Sequence, residues 1–415
     1  MGGWVRQVGT NLPKVGQYNR AVVLDQIQLA DGTSRVEIAE LTGLTPQTVS
    51  GIVRRLIDEG IVREDGARSS SGGKPRTVLR INADAGRAVG LHFDPVELAS
   101  VVVDLLGRPL VAARRPTPSG MNPAEVTAAM AGLVDEVLAE AGVGRDQVLG
   151  VGLAAPGPID QALGEVISPP QLSDWTRVPL KQMVADATGL PVTLDNDATA
   201  AAIGERWAGA GRGVANFAYF FLGTGVGGGL VLGHQVHRGG SMNAAEFGHT
   251  SVTESGPRCY CGNRGCLESL INPAALVADA HRLLSAGGES ALTKAFRRAP
   301  STVDHAALCR AAAAGDALAV EVIGRAAEYL ATVAVNVVNI VDVELIILGG
   351  HGIRHVEPYF REAVVRALGE RAIARRIRQV DVALSPLGDD AAVVGGATLV
   401  LHSTFSPQVS SLLAG

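Results

Sequence analysis

Three of the four cysteines in this 415-residue chain fall within eight residues, Cys259-Tyr260-Cys261-Gly262-Asn263-Arg264-Gly265-Cys266, and His249 stands ten residues before the first. A Cys-x-Cys-x4-Cys spacing with glycines between lets the backbone fold three thiolates round one ion, and a histidine completes a tetrahedron. The competing readings are a disulfide or three ordinary buried cysteines; the clustering and a reducing compartment count against both. Four protein ligands leave no position for water. The spacing therefore predicts one structural zinc (Zn2+) per chain, held by His249, Cys259, Cys261 and Cys266. Whatever else the chain forms must bring residue 249 and the 259–266 loop to one point. Cys309 stands alone and reads as a helix residue without function.

The chain is 47% hydrophobic and 19% charged, which supports a large buried core and excludes global disorder. Its length points to two or three domains. With no apolar N-terminal run and too few cysteines for a disulfide framework, the expected compartment is the cytoplasm. The most apolar stretch, Tyr329 to Leu348, contains Asn336, Asn339, Asp342 and Glu344, too polar for a bilayer, so no membrane partner is expected. Residues 1–80 hold 11 Lys/Arg against 8 Asp/Glu, a net of +3, leaving −8 on the rest of a chain whose total is −5. A basic front on an acidic body fits a nucleic-acid-binding head.

The head, residues 1–82, reads as a winged helix–turn–helix. Arg20 to Leu29 carries Val23, Leu24 and Ile27 on one face of a first helix. Ser34-Arg35-Val36-Glu37 is a capping box that starts a second helix, and Gly43 supplies the turn. Thr45 fits an N-cap and Pro46 the first helical position. From there Val49, Ile52, Val53, Leu56 and Ile57 follow one buried stripe. The opposite face presents Gln47, Thr48, Ser50, Arg54 and Arg55, which can reach base edges and phosphates in a major groove. Ile61 to Glu64, a flexible run Ser69 to Arg76, and Thr77 to Ile81 then read as strand, wing and strand. Lys74 and Arg76 are candidates for minor-groove or phosphate contact. The bland alternative is a small helical domain with a solvated basic face. The caps, the spacing and the basic wing favour DNA binding by an independently folded head.

Beyond residue 83 strands and helices alternate, as in an α/β body. Strands are expected at 88–91, 99–105, 148–154, 190–194, 217–222 and 344–348, and helices at 121–141, 198–207 and 318–341; no short-period repeat is visible. Phe217 to Leu222 leads into the glycine-rich loop Gly223 to Gly229, and Leu345 to Leu348 into Gly349-Gly350. Such loops can turn backbone N–H groups toward a phosphate. Asp195-Asn196-Asp197 closes one strand, and Glu246, His249 and Glu268 bracket the cysteine loop. Carboxylates and amides of this kind suit a hydroxyl-rich ligand. Asp197 equally fits a helix cap.

Together these residues resemble the ROK family (repressors, open reading frames and kinases) over essentially the full chain. Leu194 to Ala198 is similar to its substrate motif, Leu222 to Gly229 to its second phosphate loop, and Glu246-Phe247-Gly248-His249 with Cys259 to Glu268 to its combined sugar and zinc motif. The resemblance implies a two-lobed, actin-like sugar kinase body of the RNase H-like class. Residues 83–196 would form the small lobe, joined by a terminal helix 391–415, and residues 197–390 the large lobe with the zinc site. It also implies a sugar held by Asn196, Asp197, Glu246, His249 and Glu268. Asp197 occupies the kinase general-base position, and His249 serves both metal and sugar.

One departure separates repressor from kinase. ROK kinases open the body with a strand ending Asp-x-Gly-Gly-Thr-Lys, whose amides hold the ATP phosphates. Here the stretch is Gly90-Leu91-His92-Phe93-Asp94-Pro95-Val96-Glu97. Proline removes an N–H, and Asp94 and Glu97 place negative charge where phosphates would sit. At ~4 Å and an effective dielectric near 20, each such charge opposes a phosphate by about 4 kcal/mol before screening. A milder departure puts Gln171 where the kinases carry an asparagine that touches sugar. The sequence thus predicts a non-enzymatic, sugar-responsive repressor of carbohydrate genes. It would bind a double-stranded operator as a homodimer or dimer of dimers, with a sugar or sugar derivative as effector. An active sugar kinase with a DNA-binding head is the alternative; a DNA-binding protein answering a protein partner is a third reading.

Overall fold

The computed structural model describes residues 12–30, 32–70, 73–170, 172 and 174–406. Helix α1 spans Leu12–Leu29, α2 Arg35–Thr42 and α3 Pro46–Asp58. The expected caps are all present. Ser34 Oγ accepts from Glu37 N while the Glu37 carboxylate accepts from Ser34 N, and Gly43 is left-handed at φ 69°. Thr45 accepts from Thr48 N with Pro46 at the first turn. Val49, Ile52, Val53 and Leu56 are buried. Helix α1 starts eight residues earlier than the apolar stripe indicates, because none of the side chains from Lys14 to Asn19 is buried to mark it.

Strands β1 (Val62–Ser70) and β2 (Gly73–Ile81) form an antiparallel ribbon from Val62↔Ile81 to Ser70↔Gly73. The wing is therefore largely strand, where a flexible run over 69–76 was expected. Its run of serine, glycine and basic residues carries no apolar–polar alternation in the sequence, the signal by which strands are read. Residues 71–72 and the side chain of Lys74 lie outside the described residues, as does Gln171.

The body begins with a meander of β3 (Arg87–Phe93), β4 (Glu97–Val103) and β5 (Pro109–Pro116), followed by α4 (Pro123–Ala141) and β6 (Val148–Ala155). A small sheet of β7 (Ile159–Asp160), β8 (Glu165–Ile167) and β9 (Arg177–Val178) comes next, then α5 (Leu180–Thr188) and β10 (Val192–Asn196). The first large sheet has the order β10-β6-β3-β4-β5, with β6 and β10 parallel to β3. Helix α6 (Asp197–Ala208) leads into β11 (Phe217–Leu222), β12 (Val226–Leu232) and β13 (Gln235–Val236). Helices α7 (Leu267–Ile271), α8 (Pro273–Ser285), α9 (Thr293–Arg298), α10 (His305–Ala313) and α11 (Ala317–Val341) precede β14 (Leu345–Gly349), α12 (Glu357–Arg371) and β15 (Asp381–Leu384).

The second sheet runs β13-β12-β11-β14-β15, again a three-strand meander extended by two parallel strands. The body is thus one topology used twice, a repeat of the fold that no sequence period betrays. Helix α13 (Ala391–Phe405) returns to lie on β3, β6 and α6. The approach is backbone to backbone: a Cβ at Gly152 would run into the carbonyl of Gly396.

The head does not have a core of its own. Its buried residues join Ala88, Val101, Leu105, Trp207, Val394 and Phe405 of the body in one apolar cluster. The head is thus seated on the body through a shared apolar cluster that includes Leu24, Ile27 and Ile81. Among the described residues no helix is long and apolar enough to cross a membrane.

Candidate functional site: a carboxylate cleft beside a histidine and three cysteines

A cleft of about 350 Å³ lies between the two sheets' strand ends, lined by Asn196, Asp197, Asn243, Glu246, His249 and Glu268 among others. All five residues expected to meet a sugar are in it. Their present partners refine their roles. Asn196 is the N-cap of α6, its Oδ1 accepting from Ala198 N and Thr199 N. The cap is therefore Asn196, and Asp197 is the first helical residue with its carboxylate in the cleft. One Glu268 oxygen accepts from Val226 N at 2.9 Å, tying the cysteine loop to the turn between β11 and β12.

Burial pushes the Asp197 carboxyl up to about 7, with Asp94, Glu246 and Glu268 adding repulsion against a partly opposing bond from Ala198 N. Glu246 is also raised by burial, and His249 offsets part of the effect. Two non-glycine residues beside the cleft, Met242 and Ala245, hold left-handed backbone at φ 64° and 68°. They aim Asn243 and Glu246, and such strain persists where surroundings enforce it. Asn243 bonds both the N–H and the carbonyl of Ile159, joining the two halves across the cleft. Nothing local in the sequence marks Asn243. Asp195 is turned away, buried against Arg238 and Gln161.

His249, Cys259, Cys261 and Cys266 bring one ligand atom each to within 4.8 Å of one another. His249 Nδ1 lies 3.6 Å from Cys259 Sγ, and Cys261 Sγ lies 3.6 Å from Cys266 Sγ. A tetrahedral zinc with bonds of about 2.3 Å separates its sulfurs by about 3.8 Å, so this donor set fits a metal. No disulfide forms among the described cysteines. Gly265 makes the loop possible: it is left-handed at φ 61°, and a Cβ there would strike the carbonyl of Thr253. The second histidine nitrogen, Nε2, is 2.9 Å from the hydroxyl of Tyr260, and both side chains line the cleft. The spacing of the cysteines gives Tyr260 no role of its own. Cys309 is buried in α10, 3.4 Å from His305 Nε2.

Two turns flank the cleft, one after β3 and one after β11. In the β3–β4 turn Asp94 N donates to Glu97 O, while Asp94 Oδ1 accepts from Val96 N and Glu97 N. Pro95 has no N–H. Glu97 pairs with Arg114, which also pairs with Asp390. In the second turn Gly223 N donates to Gly225 O. The expected loop over Gly223 to Gly229 is shorter than the glycines indicate, since Gly227, Gly228 and Gly229 belong to β12. Gly227 and Gly229 are small because α6 lies against them, a Cβ at Gly229 running into Ala202, and Gly228 because Ala245 and Phe247 lie against its other face. His92, 7% exposed, has no partner for Nε2 and is held down to about 4 by burial.

On α3, Gln47, Thr48, Arg54 and Arg55 are exposed and Ser50 is half-buried. The Thr48 hydroxyl is engaged with Thr45 at 2.9 Å as part of the cap. Arg76 is exposed on β2, 3.8 Å from Glu37.

The ROK family model matches residues 94–403. The chain belongs to the ROK family. A winged helix-turn-helix DNA-binding model matches residues 22–63 of this ROK protein. The xylose repressor of Caldicellulosiruptor bescii is 28% identical over 390 residues, covering 94% of this chain and 97% of that one. A crystal structure of a ROK family transcriptional regulator, a homolog of the E. coli MLC protein, covers 97% of this chain and all of its own, at TM-score 0.79 and 25% identity. A ROK glucokinase from Streptomyces griseus, solved with glucose and AMPPNP, is 30% identical with TM-score 0.67; it covers 76% of this chain and 99% of its own.

Proposed function

We propose that this ROK protein is a sugar-responsive transcriptional repressor of carbohydrate genes, without kinase activity. The observation that carries the reading is the β3–β4 turn: each N–H it has is bonded within the turn, so none is left to hold a phosphate, and its Asp94 carboxylate takes two of those bonds. The relatives that match head and body together, a xylose repressor and a transcriptional regulator, support the same reading. The glucokinase, by contrast, covers 76% of this chain.

Residues 1–82 form the head, 83–196 and 197–390 the two lobes, with α13 fastening them. Gln47, Thr48, Ser50, Arg54, Arg55, Lys74 and Arg76 contact a double-stranded operator, bound by a homodimer or dimer of dimers in the cytoplasm. Zinc is the metal that His249, Cys259, Cys261 and Cys266 hold, and it supplies folding energy to the cysteine loop. Asn196, Asp197, Glu246, His249 and Glu268 bind an aldose, with xylose the first candidate because full-length relatives are named for it. Asp197 accepts a hydrogen bond from a sugar hydroxyl.

The test is Asp197→Ala. It strands that hydroxyl in a desolvated site, a loss of ~1–3 kcal/mol. The xylose-induced rise in melting temperature shrinks, while operator affinity without sugar stays near wild type. Abolished DNA binding with intact sugar binding would make Asp197 structural and end the sensor reading. A second reading, an active kinase with a DNA-binding head, draws on the same carboxyl, since a group pushed up to about 7 suits a general base. ADP release with aldoses decides between them.

A further inference from the structure

The residues that would sense a sugar and those that hold the DNA-binding head sit at opposite ends of one helix. The N-terminus of α6 carries Asn196 and Asp197 in the cleft. Nine residues beyond Asp197, or about 14 Å along the helix, Arg206 near its C-terminus meets α1 of the head. There Arg206 Nη2 donates to Asp25 Oδ1 at 2.6 Å, with the side chains 1% and 8% exposed. Gln28 Nε2 donates to the Trp207 carbonyl at 2.9 Å, and Arg212 donates to the Gln28 carbonyl at 2.7 Å. Asp25 and Gln28 are three apart on α1 and so share a face.

Between its ends α6 has little freedom to bend. Ala198 and every residue from Ala200 to Trp207 are buried. Helix α13 lies on one side and β12 on another, both at distances that only small residues permit. A helix packed in this way moves as a unit, by sliding or turning against its neighbours. A displacement at Asp197 therefore arrives at Arg206.

The junction with the head also has unused hydrogen-bonding capacity. Arg206 Nη1 and Gln28 Oε1 are buried and lack partners. They are a donor and an acceptor on the two sides of one interface. Buried polar atoms are normally satisfied, and exceptions call for an explanation. A second seating of α1 on α6 that joins them supplies it, and a two-state response requires two such seatings.

We propose that α6 couples the cleft to the DNA-binding head, and that Arg206 and Asp25 are the positioning residues through which a bound sugar changes the placement of the head. This rests on the repressor reading above. Neither residue touches the cleft or the recognition face of α3, so the pair governs the response and neither binding event alone.

The experiment measures operator affinity with and without saturating D-xylose or D-glucose, and sugar affinity with and without the operator duplex, the operator being selected from a random duplex pool. It compares wild type, Asp25→Asn and the double variant Asp25→Leu/Arg206→Met. The double variant guards against misfolding, because replacing a buried ion pair by apolar residues of similar size is often tolerated where removing one partner is not. Wild type should show a coupling on the order of 10-fold, equal in both directions by linkage. In the double variant the coupling should fall below about 2-fold in both directions, with each ligand alone bound as in wild type. A merely structural pair would lower stability and leave the coupling intact. Full coupling in the folded double variant overturns the proposal, as does loss of sugar affinity in the absence of DNA. A wild-type protein that binds the operator but ignores both sugars overturns the repressor reading itself, and the proposal with it.

Discussion

Asp197 combines two demands that one side chain seldom meets: it opens α6 and it faces three other carboxylates. Its folded carboxyl lies near 7, above the ordinary 3.8. The native state therefore holds a proton that the unfolded chain gives up between these values, and stability falls as pH rises from about 4 to about 7. Asp197→Asn keeps the shape and removes the charge. Its melting temperature should exceed that of wild type by a margin that grows from pH 5 to pH 8; a margin independent of pH would show that the carboxyl titrates normally. On the head, Arg54 is exposed on α3, and Arg54→Ala should weaken operator binding by ~1–3 kcal/mol with the fold intact. Removing Lys74 and Arg76 together should cost affinity evenly across sequences and flatten the salt dependence. Gel-shift titrations at several salt concentrations read both effects. At this scale the sequence was informative where chemistry is local. The carboxylates and the His249/Cys259/Cys261/Cys266 cluster are legible from residue type and spacing. Tyr260 and Asn243 are not, because their roles come from partners, His249 and Ile159, that only the folded chain supplies.

The 249–266 segment shows what an element needs beyond its ligands. Its hydrogen bonds run from Cys259 N to Asn263 O and from Gly265 N to Pro257 O, and Glu268 bonds the neighbouring β11–β12 turn. Removing a metal held by His249 and the cysteines should therefore loosen a wall of the cleft. Cys261→Ser should lower the metal content measured by elemental analysis, reduce the melting temperature and weaken the xylose-induced shift together. Wild type treated with a strong chelator should reproduce all three; freshly purified wild type without zinc would refute the assignment. The helices of the head were the most legible elements, since Ser34, Gly43, Thr45 and Pro46 each have a local mechanism for starting or stopping a helix. The wing and the first turns of α1 were less so, because exposed segments carry no burial pattern. The glycines of β12 misled for a related reason. Glycine marks a turn or a close approach equally well, and only the position of α6 tells which.

At the scale of the molecule, ADP release should remain at background with xylose, glucose and ATP present, while xylose alone raises the melting temperature. At 100 times its dissociation constant a ligand adds ~2.7 kcal/mol to stability. Steady turnover would return the β3–β4 turn to the role of a phosphate site. The two-part plan, the ROK membership and the ligand set of the metal cluster could all be read before any fold was known. Those follow from short-range spacing and from motifs whose chemistry is local. Three features came from packing alone. The two sheets repeat one topology although no sequence period links them, because strand order depends on which faces pack and tolerates wide variation in side chains. The head shares its core with the body instead of standing apart. And Asp25, in the first helix, meets Arg206 at the far end of the cleft helix. A buried ion pair between residues so distant in the chain leaves no trace in local pattern, since each is an unremarkable charge until folding removes water from both.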